Sequence, residues 1–161
     1  MRSEDEINRA IEEYADLVRR LCMLHLKSVQ DSEDIFQEVF IKYAYCSKEF
    51  ESNEHEKAWI IRVTVNACKD LLKSFFRNNM VSLENVIIES REKGYEYNEV
   101  LEQVLRLPNK YKDVVFLFYY EGYTAVDIAK ILNKNVNTIY TLLSRARNIL
   151  GEKLRGSFYE E

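Results

Sequence analysis

Towards the C-terminal end of this 161-residue chain, Asn137, Thr141, Ser144 and Asn148 recur at i, i+4, i+7 and i+11, the register of one helix face. Arg145 and Arg147 flank them. Small polar side chains in that register can hydrogen-bond to base edges, while arginines hold phosphates. A second set, Arg62, Asn66, Lys69, Lys73 and Arg77, falls at i, i+4, i+7, i+11 and i+15. On a helix it forms a cationic, amide-bearing stripe about 22 Å long, at 1.5 Å per residue. A merely solvated face would mix both signs, whereas here Asp70 lies off the stripe's axis. Covalent chemistry has little to work with. There is no P-loop, no GxGxxG and no HExxH, and only two histidines, His25 and His55, occur. Cys22 and His25 are spaced to share a helix face and so to invite a metal, but no second ligand pair accompanies them, and both read as packing residues. Trp59, Phe75 and Phe76 have faces on which bases stack, although core packing is the commoner use of such rings. The expectation is a binding protein rather than an enzyme, with no cofactor and no metal.

The elements that position these sets read as helices. One Pro and four Gly leave little material for hairpin turns, and 47% hydrophobic with 31% charged residues suffices for a buried core. Ile7, Ala10, Ile11, Tyr14, Leu17 and Val18 open an amphipathic helix. Asp31 is expected to cap the next, with Asp34 in the capping-box position and Phe36, Val39, Phe40 and Tyr43 buried. SKEFESNEHE reads as a loop, and a long helix bearing the cationic stripe is expected from near Glu56 to about Arg77. Residues 78–98 lose the periodicity. Pro108 then starts a helix that ends at Gly122. Two more follow, over 124–132 and about 136–154, joined by the turn Asn133-Lys134-Asn135. The first buries Ala125, Ile128, Ala129 and Leu132, and the second Val136, Ile139, Leu143, Ala146 and Leu150. Two short helices on a tight turn match a helix-turn-helix, whose second helix enters the major groove, although a plain helical hairpin has the same periodicity. The fold class expected is all-α: two small helical domains, 1–79 and 98–157, joined by a flexible linker over 80–97, the second containing the helix-turn-helix.

The formal charge of −4 does not advertise a nucleic-acid binder, but it is unevenly spread. Residues 1–55 carry −6, 56–78 carry +3, 79–98 carry −2, 99–155 carry +3 and the last six −2. No apolar run is long enough to span a membrane, and the acidic N-terminus does not resemble a secretory signal. Cys22, Cys46 and Cys68 form an odd set without a CxxC pair, which suits reduced thiols. A cytoplasmic protein without direct membrane insertion is expected.

In order, DSEDIFQEVF (31–40), WIIRVTVNACKD (59–70), LPNKYKDVVFLF (107–118), YTAVDIAKIL (123–132) and VNTIYTLLSRAR (136–147) resemble a bacterial sigma factor. The likeness is to the short extracytoplasmic-function branch of the sigma-70 family, which keeps regions 2 and 4, and it extends over about residues 10–155. It implies a subunit that binds core RNA polymerase and directs it to promoter DNA, often under the restraint of an anti-sigma factor. Asp34, Gln37 and Glu38 match the family's polymerase-docking positions, and an acidic face suits a basic partner. The 50–55 loop and the stripe of Arg62, Asn66, Lys69, Lys73 and Arg77 match the surface that opens the minus-ten element, with Asn66 the direct base contact. Asn137, Thr138, Tyr140, Thr141, Ser144, Arg145 and Arg147 match the reader of the minus-thirty-five element. Tyr140 and Leu142 stand where the family commonly has a basic residue and an arginine, which leaves Leu142 to meet a thymine methyl and Tyr140 a phosphate. The competing reading is a stand-alone helix-turn-helix regulator, which would need no polymerase.

Overall fold

The computed structural model describes residues 1–26, 28–75 and 99–159, and among them every regular element is helical. The chain divides into two compact units, Met1–Lys93 and Gly94–Glu161. The expected linker over 80–97 lies outside the described residues, as do Arg77 and Phe76.

Unit 1 is built from α1 (Glu4–His25), α2 (Val29–Tyr45) and α3 (Asn53–Phe75), each packed on the other two. A capping box starts α1: Glu6 N–H donates to the Ser3 hydroxyl at 3.2 Å, and Ser3 N–H donates to the Glu6 carboxylate at 2.9 Å. The first turn is acidic, which favours the positive end of the helix dipole. Leu17, Val18, Leu21 and Leu24 then go into the core with Val39, Ile60, Ile61 and Val65. Cys22 meets Cys68 there, Sγ to Sγ 4.0 Å, both fully buried. His25 is buried in the same helix.

Two helix starts differ from expectation. Ser28, not Asp31, caps α2, its hydroxyl accepting from Asp31 N–H at 3.2 Å. Opening there buries Val29 and lets the buried Ser32 hydroxyl donate to the Ser28 carbonyl, gains an Asp31 cap would forgo. Phe36, expected inside, is half-buried beneath the Arg19 guanidinium, 4.2 Å from its ring centre. The long helix begins at Asn53, about a turn before Glu56, because the Ser52 hydroxyl accepts from His55 N–H at 3.1 Å.

That early start turns Glu56 inward, where it is only 6% exposed. Its carboxylate accepts from Arg9 (2.9 Å) and Tyr14 (2.9 Å) on α1 and from Tyr43 (2.9 Å) on α2. Burial by itself would raise the Glu56 carboxyl, but these three donors together outweigh it and hold it below the usual carboxylate range. Both tyrosines are pushed up, first by burial and then by the carboxylate they face. One side chain thereby ties three helices together.

Unit 2 comprises α4 (Glu99–Leu105), α5 (Asn109–Val115), a π-helical turn (Phe116–Tyr120), α6 (Ala125–Leu132) and α7 (Val136–Tyr159). Pro108 precedes α5 as expected. The π turn, closed by Glu121 N–H donating to the Phe116 carbonyl at 3.1 Å, carries the chain to Gly122 at φ 74°. Thr124 caps α6, accepting from Asp127 N–H at 3.2 Å. Asn133 ends α6 in the left-handed region (φ 54°), which asparagine tolerates better than most side chains. Asn135 Oδ1 then accepts from Asn137 N–H at 2.8 Å, so α7 opens immediately.

Candidate functional site

On α2, Asp34, Gln37 and Glu38 are all exposed, as docking requires. Their neighbours partly engage them. The Gln30 amide donates to Asp34 at 3.1 Å, and Lys42 pairs with Glu38 at 2.9 Å. Both partners of that pair are about half exposed, so it contributes only about 0.3–0.5 kcal/mol and yields readily to a stronger cation. The same face continues into two residues that sequence reasoning missed. Ile41 is 58% exposed and Tyr45 70%, at i+7 and i+11 from Asp34. The signal was available: apolar residues extending a polar helical stripe instead of joining the buried one.

The stripe on α3 is partly wet. Asn66 and Lys73 are exposed, while Arg62 and Lys69 are half-buried. Of the flanks, Ile60, Ile61, Val65, Ala67 and Cys68 are buried, and Val63, Leu71 and Leu72 only half so. Phe50, just before α3, and Trp59, in its second turn, lie 5.7 Å apart between ring centres, and Tyr43 stands 6.2 Å from Trp59. The Arg2 guanidinium covers Tyr43 and Phe50 at 4.6 and 5.1 Å. Trp59 and Phe50 are half-buried, so the cluster packs the end of the bundle and still presents surface where residues 50–52 lead into α3, residues 53–55 of the expected loop being its first turn.

In unit 2, α6 buries Ala125, Ile128, Ala129 and Ile131, with Leu132 half-buried. Against it α7 buries Ile139, Leu142, Leu143 and Ala146. Leu142 is therefore a core residue, 8% exposed, and does not face a thymine methyl. The apolar stripe of a packed helix is wide enough to take positions 139, 142, 143 and 146 together. The opposite face exposes Asn137, Thr138, Tyr140, Thr141, Ser144, Arg145, Arg147 and Asn148. Thr141 donates its hydroxyl to the Asn137 carbonyl at 3.0 Å. The Arg147 guanidinium lies 6.0 Å from the Phe118 ring centre, at the outer limit of a cation–π contact. The face as a whole combines small polar groups for base edges with cations for phosphates.

Two family models match the chain, Sigma-70 region 2 over residues 10–75 and Sigma-70 region 4 over residues 97–150. Among curated proteins, the chain is 26% identical to the ECF RNA polymerase sigma factor SigW of Bacillus subtilis, over 94% of this chain and 90% of that one. It is 30% identical to the RNA polymerase sigma factor SigV of the same organism, over 81% and 80%. Among solved structures, the fold is similar to the sigma factor RpoE from Bartonella quintana, in a co-crystal with the anti-sigma factor NepR. The TM-score is 0.69 at 18% identity, over 93% of this chain and 97% of that one. CnrH, in complex with the cytosolic domain of CnrY, matches with a TM-score of 0.70 at 15% identity, over 96% and 90%.

Proposed function

The chain belongs to the sigma-70 family of RNA polymerase sigma factors, in the extracytoplasmic-function branch, and from that premise we propose how its surfaces divide the work. As a sigma factor it binds core RNA polymerase and directs it to promoter DNA for initiation. The exposed face of α2, with Asp34, Gln37 and Glu38, docks on the polymerase; its acidity and its apolar end at Ile41 and Tyr45 support this reading. The α3 stripe engages the minus-ten element through Arg62, Lys69 and Lys73 as phosphate contacts, with Asn66 reaching a base. Arg77 extends the stripe in sequence. The outward face of α7 enters the major groove of the minus-thirty-five element. Residues 1–79 and 98–157 thus act as region 2 and region 4. An anti-sigma factor is the regulatory partner, by analogy with the complex of RpoE with the anti-sigma factor NepR. No helix among the described residues is long and apolar enough to cross a membrane, in keeping with a cytoplasmic site of action. Bond-making belongs to the polymerase, and the chain contributes binding.

The observation that carries the division is the sorting of α7: Ile139, Leu142, Leu143 and Ala146 are buried within unit 2, while Asn137, Thr138, Thr141, Ser144, Arg145 and Arg147 face solvent. The test is transcription. Purified chain added to core polymerase on a genome-wide template pool should yield transcripts with common upstream elements, and a transcript set no different from core polymerase alone would sink the proposal. Replacing Asn66 with Ala should lower opening at the minus-ten element, read by permanganate reactivity, without weakening polymerase binding.

A further inference from the structure

Tyr140 is 55% exposed in the second turn of α7, and among the described residues of that helix it is the exposed large apolar side chain. It shares its face with Asn137, Thr141 and Ser144, all smaller and polar. The Tyr140 side chain makes no hydrogen bond, ion pair or ring contact with any described residue. Packing therefore gives no reason for an aromatic ring at this position. Leu142, the other large side chain of this segment outside the expected core, is committed inward.

Major-groove base edges display donors, acceptors and one apolar group, the C5-methyl of thymine. A ring that stands proud of small polar neighbours reaches that edge first when the helix enters the groove. We propose that Tyr140 is a specificity residue whose ring packs on a thymine methyl, so that the protein prefers an upstream element with thymine at that position. The inference rests on the reading of α7 as the minus-thirty-five reader, and it gives Tyr140 an apolar contact with a base in place of a hydroxyl contact with a phosphate.

The experiment uses the chain assembled with core polymerase. Upstream elements are first selected from a random duplex pool, and each thymine of the selected site is then replaced singly by deoxyuridine, which deletes only the methyl. At one position deoxyuridine should weaken binding by about 4-fold, the worth of one buried methyl. Y140A should lose a similar factor on the thymine site and become indifferent to deoxyuridine there, while Y140F should bind like the unaltered chain. Tyr140 is exposed and alanine favours helix, so the variant keeps its fold. Three results overturn the inference: a selected site without a constant thymine, Y140F failing as badly as Y140A, or Y140A remaining sensitive to deoxyuridine. A pool yielding no upstream element at all would instead overturn the assignment of α7.

Discussion

Glu56 shows how much one residue can hold. Its three donors come from positions 47, 42 and 13 residues away, so no local pattern announced them, and the sequence placed it at the edge of a loop. Glu56→Ala should destabilise unit 1 by about 2–4 kcal/mol, read from the denaturant midpoint, because two tyrosine hydroxyls and a guanidinium lose their acceptor. Since folding lowers the Glu56 pKa, its stabilisation is present above the unfolded value of about 4.3 and fades as pH falls through the folded value. The acid limb of the stability profile should therefore flatten in Glu56→Gln. The α7 face, by contrast, was legible, because Asn137, Thr141 and Ser144 lie within one helix and obey its period. Leu142 was misread only where the stripe was drawn too narrow. Arg145→Ala with Arg147→Ala should reduce the slope of log affinity against log salt by about 2 for upstream DNA, at about 0.9 per phosphate contact. An unchanged slope would mean that those arginines face elsewhere.

Elements were easier to foresee than their ends. The apolar periodicity of α1, α2 and α3 marked their buried faces, but Ser28 and Ser52 competed with Asp31 and Glu56 for the starts, and tertiary burial of Val29 and Glu56 goes with the outcome. The π turn had no signal of its own, since FLFYY continues an ordinary helical pattern. The face of α2 proposed to dock on the polymerase is legible in the sequence only in its polar half. If α2 meets the polymerase as proposed, Glu38→Lys should weaken holoenzyme assembly by 10-fold or more, on the order of the 1.4 kcal/mol that a tenfold change represents. Ile41→Ser and Tyr45→Ser together should also weaken it, with the far-ultraviolet dichroism unchanged. Lys42→Ala, which releases Glu38 from its intrahelical pair, should strengthen assembly slightly or leave it level. A loss from Lys42→Ala would show that Lys42 itself touches the partner.

For the molecule as a whole, the −4 total misleads about the partner. The acidic first 55 residues and the two +3 segments call for different contacts, a basic protein surface for one and nucleic acid for the others. Free protein should therefore bind promoter duplex weakly, and addition of core polymerase should raise affinity by much more than its own non-specific DNA binding accounts for, as read by fluorescence anisotropy. The buried meeting of Cys22 and Cys68 makes unit 1 its own clock. Thiol reagents attack exposed thiolates, so these two sulfurs can react only while α1 stands away from α3, whereas half-buried Cys46 reports on ordinary access in the same sample. A partner that binds only the closed bundle lowers the open population by mass action. Labelling of Cys22 and Cys68 should then slow in proportion to polymerase occupancy, so that the rate at which two hidden sulfurs are modified counts how often the sigma factor is free of its enzyme.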